Sequence, residues 1–142
     1  METEKMKRFF AGDLFAQRLG IELLEIGEGR AKAKMPVKDF HFNALGSVQG
    51  GAIFSLADFV FEVASNSYGT VAVAINVCIS YLRAARGGTL FADAREVSRN
   101  PKLASYAISI KDDAGNLVAI FQGMVYRKKD QIVLPESTEA KG

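Results

Sequence analysis

The hydrophobic pattern of the chain switches between a helical period and strict alternation. From Glu4 to Leu19, Met6, Phe9, Phe10, Leu14 and Phe15 recur at helical spacing, with an interruption near Gly12. This spacing predicts an amphipathic helix, broken once and stopped at Gly20. Such a helix can pack on a sheet edge or close over a site as a lid. Ile21 to Ile26 and Ala31 to Val37 then read as two short strands. Gly27-Glu28-Gly29 marks the hairpin turn between them. Arg30-Ala31-Lys32-Ala33-Lys34-Met35 alternates polar with small apolar residues, and Pro36 closes the strand.

A polar loop, Lys38 to Val48, leads into Gly50 to Ala64, a run without proline, lysine or arginine. Its apolar residues cover almost the whole circumference, which predicts an enclosed helix. Ser67-Tyr68-Gly69 ends it. Thr70 to Leu82 then alternates over a long strand. Val71, Val73, Ile75, Val77, Ile79 and Tyr81 share one face. The other face (Ala72, Ala74, Asn76, Cys78 and Ser80) is small, as suits the close approach of a helix or a second subunit. Thr89 to Val97, Leu103 to Lys111 and Leu117 to Tyr126 complete the set, separated by turns at Arg83 to Gly88, Ser98 to Pro101 and Asp112 to Asn116. Short turns between consecutive strands imply antiparallel pairing. One apolar helix against one sheet of about six strands is an α+β domain. The domain is expected over residues 1–127, followed by a polar, flexible tail over 128–142.

Composition narrows this little. At 142 residues the chain suits one domain with a real core. A net charge of +2 gives no argument for a nucleic-acid partner. The single Cys78 excludes an internal disulfide and is expected as a small buried residue in its strand. No apolar run follows Lys5, Lys7 and Arg8, and no segment is long and apolar enough for a membrane helix, so a cytoplasmic protein without a membrane partner is expected. No metal site is expected, because His41 is the only histidine and has no second ligand at suitable spacing.

The candidate chemistry lies at the start of the apolar helix. A carboxylate within such a helix, Asp58, is costly unless paired, protonated or used. Gly50 and Gly51 leave backbone N–H groups unobstructed where the helix dipole favours negative charge. Asp58 stands eight residues after Gly50, about two turns on and on roughly the same side. Each residue also has a plain structural role open to it. Asp58 can be a solvated or ion-paired residue beside Ser55 and Glu62, Gly50-Gly51 can serve close packing, Asn43 can shape a turn, and His41 can be structural. Glu62 suits a surface or an interface, or a second acid.

The pattern Asn43-x-x-Gly46-x-x-Gln49-Gly50-Gly51, then Leu56-Ala57-Asp58 and Ala64-Ser65-Asn66-Ser67, resembles the hot-dog-fold acyl-CoA thioesterases of the phenylacetate-degradation (PaaI) type. That family usually has a histidine where Gln49 stands. Its acidic residue lies eight positions after the first glycine, where Asp58 stands. Some relatives carry a serine or threonine at the position of Ala74. The resemblance implies a hot-dog fold, with a long central helix wrapped by the sheet, and thioester hydrolysis. It implies that the Gly50 N–H holds the thioester oxygen, with Gly51 and Gln49 beside it. Asn43 would orient substrate or water, and Asp58 of a facing subunit would be base or nucleophile. It therefore implies an obligate dimer, often assembled into a tetramer. It requires no cofactor beyond the coenzyme A of the substrate. Arg83, Arg86 and Arg99, with Lys102, are candidates for the coenzyme A phosphates, on two turns expected to be neighbours. A non-catalytic acyl-CoA-binding module and a 3-hydroxyacyl thioester dehydratase, the latter using His41-Phe42, are the alternatives.

Overall fold

The amphipathic N-terminal segment forms two helices. In the computed structural model, which describes residues 3–134, they are α1 (Thr3–Ala11) and α2 (Leu14–Leu19). The chain breaks at Gly12, and Asp13 caps α2 by accepting the Ala16 N–H at 3.0 Å. Met6 and Phe10 are buried, and α1 packs against β1 (Glu22–Gly27). It lies on a sheet edge, because among the described residues β1 pairs with β2 alone.

The remaining strands are β2 (Arg30–Pro36), β3 (Thr70–Tyr81), β4 (Thr89–Arg99), β5 (Leu103–Lys111) and β6 (Leu117–Gln131). Together they form one antiparallel sheet in the order β1-β2-β4-β5-β6-β3. The long helix α3 (Gly50–Ser65) touches all six strands. Leu56, Ala57, Val60, Val63 and Ala64 are completely buried. Opposite them the register pairs Ala31 with Ala94 and Ala33 with Ala92, a patch of small side chains that lets the helix lie close. Burial of these apolar faces is what holds helix to sheet.

Four features differ from the periodicity. The helix is not enclosed all round, because Gly51, Asp58 and Glu62 leave an open stripe along it. β6 continues past Tyr126 to Gln131, pairing Ala72 with Arg127 and Thr70 with Gln131. Ladder hydrogen bonds need no apolar side chains at a sheet end. Residues 135–142, where the tail was expected to be flexible, lie outside the described residues. The third difference is in β3. A bulge between Ala74 and Asn76 inserts an extra residue, and the strand changes phase. Ala72 faces the core before it, and Val77 and Ile79 face the core after it. Val73 and Ile75 are 43% and 54% exposed. The fourth follows from the same shift: Cys78 is exposed on the outer face rather than buried.

Candidate active site

The loop before α3 is held by its own polar groups. Phe42 and Val48 bridge across it. Inside the bridge the Asn43 side-chain carbonyl accepts the N–H groups of Leu45 at 2.9 Å and Ser47 at 3.2 Å, while its amide donates to Ser47 Oγ at 3.1 Å. Asn43 thus shapes the turn. Gly46 adopts a left-handed conformation with φ of 81°, which a side chain would disfavour. Val48 N–H bonds to Ala85 C=O at 2.8 Å and Gln49 N–H to His41 C=O at 2.7 Å, so the helix start is fixed from two sides.

His41 forms part of this wall. It is 1% exposed. Its Nδ1 accepts the Lys38 N–H at 2.9 Å, which leaves Nε2 protonated to donate to Leu19 C=O at 2.8 Å. With both nitrogens bonded to backbone, it has no free position for proton transfer with a substrate, as the dehydratase alternative needs.

Gln49 caps α3 through its backbone. Its carbonyl accepts the N–H groups of Ala52 at 2.9 Å and Ile53 at 3.2 Å, while its side chain is exposed and makes no cap bond. This backbone cap is one that glutamine supplies as well as histidine. Among the described residues no acceptor meets the N–H of Gly50 or Gly51. Both donors stand at the positive end of the helix dipole. A cleft of about 340 Å³ opens beside them, lined by Ser47, Gly50, Ile53, Tyr81 and Arg83 among others. Tyr81, at the end of β3, donates its O–H to the Gly50 carbonyl at 2.9 Å.

Two turns further along, Asp58 is exposed on the open stripe with Glu62 beyond it. The cap residue Asp13 stands over this stripe. With Phe15, Ser55, Asp58, Phe59 and Glu62 it lines a small cavity of about 40 Å³ that has no lysine or arginine in its wall. Burial of its flanks, and then the negative charge of Asp13, push the Asp58 carboxyl above its usual range. The same causes act more strongly on Glu62. Burial, the charge of Asp13, a hydrogen bond shared with Asp13 and the charge of Asp58 raise it to about 7. Neither position is relieved by an ion pair among the described residues.

The other end of α3 is also closed by hydrogen bonds, which accounts for the Asn66-Ser67 part of the motif. Asn66 donates to Glu62 C=O at 2.9 Å and accepts the Ala72 N–H at 2.8 Å, joining the helix end to β3. Ser67 Oγ accepts the Gly29 N–H at 2.7 Å and ties in the β1–β2 turn.

The structure separates the candidate arginines. Arg83 and Arg86 are exposed in the loop after β3, and Arg83 lines the Gly50 cleft. Arg99 lies at the far end of β4, whose 11 residues span about 35 Å. There its Nε is 3.5 Å from Glu96 Oε1 and its guanidinium covers Tyr68 at 4.1 Å. The two turns were expected to be neighbours. The strand order puts them at opposite ends because β4 runs the whole length of the sheet between them.

Two residues of the site had no role in the sequence reading. Asp13 carried a signal, an aspartate before an apolar helical run, which marks an N-cap. Tyr81 carried none, because its meeting with Gly50 depends on how β3 lies against α3. Among the described residues no group of histidine, cysteine, aspartate and glutamate is arranged to hold a metal ion, and no helix is long and apolar enough to cross a membrane.

The Gly50 donors and Asp58 lie about 12 Å apart along α3. An oxyanion donor and a base or nucleophile must both reach one carbonyl at about 3 Å. Within a single copy the two groups are too far apart to act together on one carbonyl.

Known proteins resemble the chain in sequence and in shape. The family model described as the thioesterase superfamily matches residues 45–119. A provisionally named esterase of Archaeoglobus fulgidus is 44% identical over 127 residues, 88% of this chain and 82% of the relative. The acyl-coenzyme A thioesterase PaaI of Escherichia coli is 36% identical over 119 residues, 83% of this chain and 85% of the relative. The structure of the E. coli PaaI protein from the phenylacetic acid degradation operon superposes with a TM-score of 0.86 at 33% identity, covering 92% of this chain and 99% of that one. With a central helix on a six-stranded antiparallel sheet, and donors and carboxylate on that helix, the chain belongs to the thioesterase superfamily, as a PaaI-type hot-dog thioester hydrolase.

Proposed function

We propose that this protein hydrolyses acyl-CoA thioesters to the free acid and coenzyme A, at sites built between two copies of the chain. The carrying observation is the separation on α3: Gly50 and Asp58 are both open, yet too far apart to act on one carbonyl. A second copy supplies the missing half. The edge of β3 supports this reading, since among the described residues β3 pairs with β6 alone and exposes Val73 and Ile75 beside its free backbone.

In such a site the N–H groups of Gly50 and Gly51 stabilise the thioester oxygen as it gains charge. Asp58 of the other copy acts in one of two balanced ways. As general base it takes a proton from water, whose oxygen bonds to the carbonyl carbon. As nucleophile its carboxylate bonds to that carbon, and water later hydrolyses the anhydride. In both routes the C–S bond breaks and coenzyme A leaves as thiolate. Asn43 serves by holding the loop that aims Gly50, and Gln49 by its backbone cap. Arg83, in the cleft lining, and Arg86, exposed in the same loop, would meet the phosphates of coenzyme A. The position of Arg99 gives it no such part at the same cleft. Dimers or tetramers in the cytoplasm complete the proposal.

The test is release of free thiol from a panel of aryl and aliphatic CoA thioesters. Turnover of part of the panel by wild type, lost in Asp58→Asn, supports the reading and names the acyl preference. Binding of the thioesters with no thiol release would make the protein a binding module instead.

A further inference from the structure

We propose that Tyr81 is a positioning residue for the oxyanion site, fixing through its O–H the Gly50–Gly51 peptide whose N–H faces the thioester oxygen. The inference rests on the thioesterase reading above and adds a residue to it.

The geometry is specific. Tyr81 Oη donates to the Gly50 carbonyl at 2.9 Å. A Cβ built on Gly50 would stand 3.3 Å from both Cζ and Oη of Tyr81, so the ring lies directly on the glycine Cα. A peptide unit is planar, and the Gly50 carbonyl shares its plane with the Gly51 N–H. Holding one end of that plane orients the other. Hydrogen bonding to the carbonyl also polarises the unit and makes its N–H a stronger donor.

The adjoining peptide is already held in the same manner. The Gln49 carbonyl, which shares a plane with the Gly50 N–H, accepts two helix bonds from Ala52 and Ile53. The second peptide joins two consecutive glycines in a first helical turn, so without Tyr81 one helical bond would be its main restraint. A carbonyl has a second lone pair, so the tyrosine bond leaves the usual helical bond in place. Tyr81 also comes from β3, the strand whose free edge is offered to the second copy. It links that edge to the donors.

Tyr81→Phe keeps the ring and removes the bond. The expected result is a fall in kcat of about tenfold, the effect of one hydrogen bond that counts in the transition state. KM should stay within about twofold, because the substrate is bound by other groups. The shape of the pH–rate profile should not move. In a ¹H–¹⁵N spectrum the Gly51 amide should shift upfield as its peptide loses polarisation. Replacing Tyr81 by 3-fluorotyrosine restores the O–H and should restore kcat, which separates loss of the bond from a loss of fold. An unchanged kcat in Tyr81→Phe would overturn the proposal. So would a raised KM at constant kcat, which would make Tyr81 a substrate contact, or an unmoved Gly51 resonance. If wild type releases no thiol from any thioester, the thioesterase reading fails, and the Gly51 resonance still decides whether Tyr81 holds that peptide.

Discussion

The ring of Phe61 lies on the bare backbone of Gly123. A Cβ at position 123 would come within 2.5 Å of the ring's Cζ. Tyr106 and Phe121 flank the same ring, with centroids 5.9 and 5.5 Å away. The gap left by one glycine on β6 therefore sets how near α3 approaches the sheet, and with it the placing of Gly50 and Asp58. Gly123→Ala should overpack this contact, since the neighbours leave the ring no room to turn aside. A loss of about 1–3 kcal/mol is expected, read as a lower denaturant midpoint. An unchanged midpoint would mean that Phe61 can move away without cost.

A site shared between two copies, as proposed, would show itself in mixtures of variants. Gly50→Pro removes the first donor N–H, and proline suits the first position of a helix, with the exposed Tyr81 ring, 3.3 Å from a Cβ there, giving way by a few tenths of an ångström. The extended backbone of Gln49, φ −56° and ψ 133°, is also what a following proline requires. Asp58→Asn removes the carboxylate, with an expected loss in kcat on the order of a hundredfold or more. Each variant alone should be nearly inactive. After unfolding and refolding together, half of the dimers would be mixed, and each would hold one intact site. Recovery of roughly a quarter of wild-type thiol release is then expected. No recovery would mean that both groups act within one copy.

Asn43 separates loop shape from substrate contact. Asn43→Ala loses the bonds to Leu45, Ser47 N–H and Ser47 Oγ, and should lower stability by about 1–3 kcal/mol. Asn43→Asp keeps an oxygen for the two backbone N–H groups and should recover most of that loss. If Asn43→Asp is stable and active, the residue works through the loop. A stable but inactive Asn43→Asp would give the amide a direct part in binding.

The acid pair beneath α2 should make stability depend on pH. In the folded chain the Glu62 carboxyl holds its proton to about pH 7, against 4.5 as its ordinary value. The folded state thus binds more protons than the unfolded state between those limits. The contribution of Glu62 to stability therefore falls as pH rises through this window and is lost above about 7. Glu62→Gln removes the titration while keeping a hydrogen bond towards Asp13. Its Tm should match wild type near pH 5 and exceed it near pH 8 by on the order of 2–4 °C. Equal differences at both pH values would show that Glu62 is not protonated beside Asp13 and Asp58.

The order of elements, the turns and the loop-to-helix motif were all legible in the chain, because each depends on neighbours in sequence. Helical spacing from Met6 to Phe15, the glycine of the β1–β2 turn and the Asp112 to Asn116 turn state their conformation locally. Asp58 stood out for the same kind of reason, as a charge in an apolar helix.

Tertiary structure decided what depends on which backbones meet. The bulge at Ala74 and Asn76 turned the outer half of β3 about and brought Cys78 to the surface. No local period announces an inserted residue. Placing β3 last in the sheet left its outer edge unpaired among the described residues, while the run of β4 carried Arg99 away from Arg83 and Arg86. Tyr81 reads in the sequence as one more apolar position of a strand. It meets the start of α3 only because packing of β3 against α3 brings its hydroxyl to the Gly50 carbonyl, a contact between residues 31 positions apart. Alternation along a chain specifies a residue's face. Only pairing and packing specify what that face meets.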